Sequence, residues 1–410
     1  MLFSGCDKTV GPEPSEESSE NWRERFNLTT LGEIPYPSNN EPNPARIELG
    51  RNLFYDPILS GERDVSCGTC HHPNFAFADG RQFGAGVSGE GLGPERTLSH
   101  SAVSGEPIEK EPRNSPTILN TAFNGDELGR PSADGVQFFD RRAKGLEEQA
   151  LLPLQSRAEM RGDAYSADAA VDSVLRRLRA IPEYEKMFVE AFSGEVNELT
   201  GSSRAQVITR STYSRAVAAF ERELVTRNSP FDRYVQGEDA ALTQVQKEGM
   251  KLFFDKAQCV VCHNGPMFSD FQFVVHGTPQ EGPGKEVIPG DDTGREEHTG
   301  KMKDRYAFRT LTLRNVELTG PYMHDGVFES LEEVIEFYNN GARPRHSAIT
   351  DEMLDPSLRD SLRLTEREVD ALAEFLRSLT DRGSNLPSPL LSVPDSVPSG
   401  LTPVVGVGGD

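Results

Sequence analysis

Cys67-Gly68-Thr69-Cys70-His71 decides how the chain is read, together with its second copy, Cys259-Val260-Val261-Cys262-His263. Two thiols separated by two residues on one helical turn can each form a thioether to a haem vinyl group, and the histidine that follows is placed to ligate the iron. Other uses of C-x-x-C explain less. A redox disulfide needs neither the adjacent histidine nor a second copy, and a zinc site built from both pairs leaves both histidines without a role. The chain is therefore read as carrying two covalently bound haem c groups, attached at Cys67, Cys70, Cys259 and Cys262, with His71 and His263 on the irons.

Outward from these motifs the sequence repeats itself. G-x-x-L-F-x-D occurs as Gly50-Arg51-Asn52-Leu53-Phe54-Tyr55-Asp56 before the first motif and as Gly249-Met250-Lys251-Leu252-Phe253-Phe254-Asp255 before the second. Phe77-Ala78-Asp79 is matched by Phe268-Ser269-Asp270, Arg113-Asn114 by Arg314-Asn315, and Leu146-Glu147-Glu148 by Leu331-Glu332-Glu333. A diverged internal repeat accounts for all of these. The expected fold is mainly α, two cytochrome c-like haem domains with few short strands and long loops, spanning 28–236 and 237–383. A helix is expected from about Pro44 into the first repeat motif. Val171, Val174, Leu175 and Leu178 recur at helical spacing. Capping boxes at Thr243/Gln246, Ser330/Glu333 and Thr365/Glu368 open three further helices.

Both ends are poor in apolar residues, so 1–27 reads as a tether and 384–410 as a flexible tail. Trp22, the single tryptophan, falls in the tether, which leaves the folded region with none. Cys6 is the one cysteine outside the haem motifs, and Leu2-Phe3-Ser4-Gly5-Cys6 resembles the end of a lipoprotein signal, although the apolar stretch that should precede it is missing. Membrane attachment would then be by lipid at Cys6, because no run of eighteen apolar residues exists. C-type haem is attached outside the cytoplasmic membrane, which places the protein in the periplasm or cell envelope. A net charge of −22 speaks against nucleic acid as a partner and suits either a basic redox protein or simple solubility. His72, His276, His298 and His346 read as solvated loop histidines, the third of them in a polar, Gly-rich loop from Pro279 to Lys303.

Several further stretches carry a resemblance: Arg113-Asn114-Ser115-Pro116-Thr117, Phe138-Phe139-Asp140-Arg141-Arg142-Ala143, Leu146-Glu147-Glu148-Gln149-Ala150, Glu159-Met160, and Leu313-Arg314-Asn315-Val316-Glu317-Leu318-Thr319 with His324-Asp325-Gly326. In this order, over roughly residues 30 to 380, the chain resembles the bacterial di-haem cytochrome c peroxidases and their MauG relatives. The resemblance implies that the first haem is the peroxidatic one, with Glu159 as acid-base group, Gln149 as its polar helper and Met160 beside the cofactor. Cleaving an O–O bond requires a proton to pass from one peroxide oxygen to the other, which a positioned carboxylate can carry, while a neutral amide orients peroxide without adding charge. Tyr338 falls where the peroxidases place a ligating methionine and MauG a ligating tyrosine, so it is expected on the second iron, with Met267 or Met323 as substitutes. Asn114, with carbonyls near Arg309 and Leu311, resembles the calcium site that bridges the two domains.

Two positions depart from the family pattern. Where F-W-D-G-R is usual, Phe139 replaces the tryptophan between the haems and is harder to oxidise. His100 lies on a loop where some members keep a histidine that blocks the reactive iron, but the loop is longer here and an ordinary surface histidine is expected. The function implied is reduction of hydrogen peroxide with electrons from a small redox protein, a c-type cytochrome or copper protein, entering through the second haem. A MauG-like oxidase that uses peroxide to modify a partner protein is the alternative that Tyr338 favours. A non-catalytic electron carrier is a third reading, disfavoured by Gln149 and Glu159.

Overall fold

In the computed structural model, which describes residues 19–196, 204–382, 390 and 392–403, each haem motif follows a helix whose glycine lies against a distant helix. The helix Pro44–Tyr55 packs on Arg210–Arg222, and a Cβ on Gly50 would stand 1.9 Å from the Ala216 carbonyl oxygen. The helix Gln244–Phe254 packs on Glu366–Arg377 in the same manner, with Gly249 placing its would-be Cβ 1.8 Å from the Ala371 carbonyl oxygen. Backbones approach this closely only where a side chain is missing. The three capping boxes read from sequence all form, at Thr243, Ser330 and Thr365, each satisfying first-turn amides that the helix itself leaves unpaired.

Most of the remaining structure is helical too. The apolar stripe of Ala167–Arg179, with Val171, Val174, Leu175 and Leu178, packs with Leu49, Leu53, Tyr184, Phe188 and Val217 into one core. A second core gathers Phe231, Phe253, Phe268 and Phe375, whose rings meet edge to face, with Met250, Leu331 and Leu372. Among the described residues the strands are three two-residue antiparallel ribbons. One of these, Phe273–Val274 with Phe308–Arg309, joins the halves: the Arg309 amide donates to the Phe139 carbonyl at 2.8 Å and its Nε to the Phe138 carbonyl at 2.8 Å. Arg113 is a second tie, its buried guanidinium held between Asp140 at 2.7 Å and Asp292 at 2.5 Å. The Gly-rich loop from Pro279 to Lys303 is thus anchored at Asp292, and it contains one helical turn, Glu296–Thr299.

The structure corrects the reading of both ends. Residues 19–27, placed in the tether, include the helix Ser19–Arg25 on the second half, where Trp22 joins the second core, Phe26 stacks on Phe254 at 4.6 Å and Arg25 pairs with Asp255 at 2.9 Å. Two aromatic rings suffice to dock a segment whose average composition is polar. The folded region therefore does contain a tryptophan. At the other end, Leu390 and Val397 are buried against Phe54, Tyr55 and Phe77, and the Ser399 hydroxyl donates to Asp56 at 2.6 Å, so this part of the expected flexible tail is a packed strap. Three histidines also differ from expectation. His72 is buried, His276 stacks on Phe308 at 5.4 Å, and His346 faces Asp291 at 3.3 Å; His298 and His100 are exposed. Cys6 lies outside the described residues, and no described helix is long and apolar enough to cross a membrane.

Candidate active site

Each C-x-x-C-H motif opens onto its own cavity, of about 150 Å³ at Cys67, Cys70 and His71 and about 330 Å³ at Cys259, Cys262 and His263. Two pairs in two cavities cannot share one zinc ion. All four thiols are free, and burial pushes Cys67 and Cys259 up to about 12 and Cys262 to about 11, the opposite of an activated redox thiol. Gly68 is required inside the first motif because a Cβ there would stand 2.4 Å from the Tyr55 ring.

The two histidines are oriented alike. His71 Nδ1 lies 3.0 Å from the Phe77 carbonyl and His263 Nδ1 2.9 Å from the Phe268 carbonyl. A carbonyl only accepts, so Nδ1 carries the proton in both rings and Nε2 keeps its lone pair for a metal. Phe77 and Phe268 both adopt left-handed backbone conformations, with φ of 56° and 50°, which turn their carbonyls back onto the imidazoles. Attachment thiols, free Nε2 atoms and adjoining cavities together fit a haem at each motif.

Over the first cavity the sequence-expected residues converge. Gln149, at the end of the short helix Gly145–Gln149, and Glu159 both line it, with Met160 buried beside them. Gln149 Oε1 is buried and has no hydrogen-bond partner, a vacancy that a bound O–H group would fill. Glu159 sits on a π-helical turn, Arg157–Arg161, whose first amides are capped by Ser156. Its carbonyl accepts from the Val87 amide at 3.0 Å, which fixes the turn. Burial, reinforced by the negative charge of Glu111, pushes the Glu159 carboxyl up to about 7. Such a group can both take and release a proton near neutrality.

Three further ionisable groups line this cavity, Glu111, Glu221 and Lys285, and none was singled out from sequence. Glu111 stands two residues before Arg113 in a stretch read for Arg113 and Asn114. Glu221 lies on the inner face of a helix that reads as scaffold. Lys285 comes from the Gly-rich loop, where no periodic pattern marks it.

In the second cavity Tyr338, from the helix Leu331–Asn339, shares the wall with His263, and its hydroxyl has no hydrogen-bond partner among the described residues. Met323 lines the same cavity, whereas Met267 is buried elsewhere, with Phe123, Val136 and Phe271. Asn114, Pro116, Thr117, Thr121, Phe139 and Arg309 line both cavities and form the partition between them. Phe139 thus stands between the two cavities. Asn114 Nδ2 donates to the Arg81 carbonyl at 2.6 Å and to the Pro321 carbonyl at 3.3 Å, clasping the two halves and leaving Oδ1 as the atom available to a cation. Leu311 and Arg309 border the second cavity close by, and burial depresses the Arg309 guanidinium to about 10.

A family model described as di-haem cytochrome c peroxidase matches residues 44–240. Methylamine utilization protein MauG of Methylorubrum extorquens is 33% identical over 352 residues, covering 84% of this chain and 81% of that protein. Cytochrome c551 peroxidase of Pseudomonas aeruginosa is 33% identical over 344 residues, with 84% and 81% covered. Among solved structures, a MauG-like protein associated with microbial copper homeostasis superposes with a TM-score of 0.68 at 30% identity, over 89% of this chain and 97% of that one. The di-haem peroxidase BthA of Burkholderia thailandensis, at 23% identity and a TM-score of 0.58 over 89% and 93%, shares the fold. With two haem-attachment motifs, two adjoining cavities and relatives of this extent, the chain belongs to the di-haem cytochrome c peroxidase family and is an oxidoreductase of that family carrying two haem c groups.

Proposed function

We propose that the protein reduces hydrogen peroxide at the haem of Cys67–His71, with electrons entering from a small redox protein through the haem of Cys259–His263. The convergence of Gln149 and Glu159 on the first cavity carries this reading. The haem groups supply the electrons that peroxide accepts. The chain's own residues do the rest. The unpaired Gln149 Oε1 accepts a peroxide hydroxyl and orients it. Glu159, ionised in part near neutrality, takes the proton of one peroxide oxygen and returns it to the other, which departs as water. Arg142, which also lines this cavity, adds positive charge beside it.

On this reading Tyr338 and His263 hold the second iron, and an anionic phenolate there favours the oxidised state. Calcium at Asn114 Oδ1, with carbonyls near Arg309 and Leu311, completes the clasp between the halves. The halves themselves, 28–236 and 237–383, are copies of one haem-binding unit; the matched Gly50/Ala216 and Gly249/Ala371 crossings and the matched histidine–carbonyl pairs support this. The site of action is the periplasm or cell envelope, where c-type haem is attached, with Cys6 as the lipid anchor.

A MauG-like oxidase acting on a partner protein is the second reading, favoured by Tyr338 in the second cavity; Phe139 in the partition speaks against it, since a phenyl ring is a poor relay for a hole. Peroxide added to the fully oxidised and to the half-reduced protein separates the two. Consumption only after half-reduction supports the peroxidase, whereas reaction of the fully oxidised protein followed by paramagnetic resonance changes at both haems supports the oxidase. Loss of neither signal in either state sinks both.

A further inference from the structure

Glu111 lines the first cavity together with Glu159. The Ser156 hydroxyl donates to Glu111 Oε1 at 3.0 Å and accepts from the Glu159 backbone amide at 3.2 Å, so one hydroxyl ties the Glu111 carboxylate to the turn that carries Glu159. The Glu111 amide is in turn pinned to the Gly84 carbonyl at 2.9 Å. Four basic side chains line this cavity as well, Arg113, Arg142, Lys285 and Arg309, the last bonded through Nε to the Phe138 carbonyl. Arg142 is committed to Asp140 at 3.0 Å and lies over the Phe138 ring at 3.7 Å. Lys285 reaches in from the Gly-rich loop, and its ammonium has no hydrogen-bond or ion-pair partner among the described residues. Arg113, held by Asp140 and Asp292, is the remaining charge that acts on Glu111.

We propose that Glu111 is a positioning residue for the peroxide reaction: it shares one proton with Glu159 across the first cavity, under the charge of Lys285, and recharges Glu159 during each turnover. The proposal rests on the acid-base role given above to Glu159. The stoichiometry gives such a store a use. Reduction of H2O2 to two waters consumes two electrons and two protons beyond those peroxide brings. As the O–O bond breaks, Glu159 moves one peroxide proton across, and the first water leaves with both peroxide protons. The remaining oxygen then takes two electrons from the external donor and two protons from the protein. A lone carboxylate that has just returned its proton holds none of these. A pair sharing one proton holds the first, and solvent supplies the second and reloads the pair. Burial raises both Glu111 and Glu159, and the charge of Glu111 raises Glu159 further, so the two cannot both ionise freely in one partly dehydrated site.

Cyanide binding to the oxidised holoprotein tests this without turnover, because hydrogen cyanide must give its proton to a nearby base to bind as the anion. The association rate at the first haem, read from the Soret band, should fall tenfold per pH unit below an apparent midpoint near 7 in the unaltered protein. Glu111→Gln removes the repelling charge and should move that midpoint down by roughly one unit, with the acid limb of kcat/KM for peroxide moving alongside it. Lys285→Met removes an attracting cation and should move the midpoint up. Opposite displacements in the two variants establish the pair, and the loop variant keeps the test available if Glu111→Gln does not fold. An unmoved midpoint in Glu111→Gln and in Lys285→Met, with Glu159→Gln abolishing the transition, overturns the role of Glu111 and leaves Glu159 standing. A transition that survives in Glu159→Gln together with full peroxide turnover overturns the acid-base reading itself.

Discussion

The two cavities share a plan and differ at a few wall positions. Counting from Leu146 in the first half and Leu331 in the second, Gln149 pairs with Val334 and Pro153 with Tyr338, and all four line their cavities. On the crossing helices, Ala216 pairs with Ala371, Phe220 with Phe375, and Glu221 with Leu376, the last pair again on the cavity walls. Even the ion pair behind the wall is matched, Arg222 with Glu147 at 2.6 Å and Arg377 with Glu332 at 2.6 Å. The packing positions are kept, and the exchanges fall where a side chain faces the cofactor space. On the proposed function, proline in place of tyrosine would leave the first face without a ligand, and two polar residues in place of valine and leucine would equip it for proton chemistry. On that reading, three exchanges on a shared packing plan would separate a reactive site from an electron-transfer site.

The largest effect that would break the comparison is at the distal acid. Glu159→Gln keeps the shape and removes the proton carrier, so peroxide kcat/KM should fall by about 10²–10⁴-fold, in the range of general acid-base contributions. Equal turnover in that variant would return the first cavity to the class of the second. Next comes pH. With Glu159 raised to about 7, its carboxylate form is lost as pH falls, so peroxide kcat/KM should drop tenfold per unit below that point in a steady-state pH profile. Tyr338→Phe should abolish the low-spin resonance of the second haem and slow donor-driven turnover severalfold, while cyanide binding at the first haem is unchanged. A persistent low-spin signal would transfer the ligand role to Met323. Gly50→Ala and Gly249→Ala each force a methyl group onto a carbonyl oxygen less than 2 Å away and should lower the melting temperature by several degrees. Calorimetry should then show whether the halves melt separately.

The smallest effect concerns Glu221, which burial pushes up to about 8 from an ordinary 4.5. The folded state therefore holds a proton that the unfolded chain has released across that window, and stability falls as pH rises through it. Glu221→Leu, which copies the second half, should flatten that dependence and raise the melting temperature at pH 8 by a few degrees, with little change at pH 4.5.

The haem motifs were legible because thioether attachment demands contiguous residues, and the helices because their caps and apolar stripes are local. The distal residues Gln149, Glu159 and Tyr338 could be named only through resemblance to a family, since nothing within a few positions of Glu159 marks it out from other carboxylates. Glu111 and Lys285 stayed hidden for a different reason. They lie 174 residues apart in the chain, and long-range ties such as Arg113 with Asp292 and Gln82 with Glu281 bring the Gly-rich loop over the first cavity. The termini were misread because composition averages over a segment, whereas docking depends on single side chains such as Trp22, Phe26 and Val397.

The strap at residues 392–403 also sets an order of assembly. Ser399 and Asp56 meet across 343 residues, the apolar cluster that Leu390 and Val397 complete includes Phe54 and Tyr55, and Cys67 packs against it. The helix that precedes the first haem motif is thus covered by residues that follow the whole second half. Contacts of such sequence separation form late because a long loop must be closed before they contribute. Until then Phe54, Tyr55 and the Cys67 beside them lack the apolar cover that Leu390 and Val397 supply.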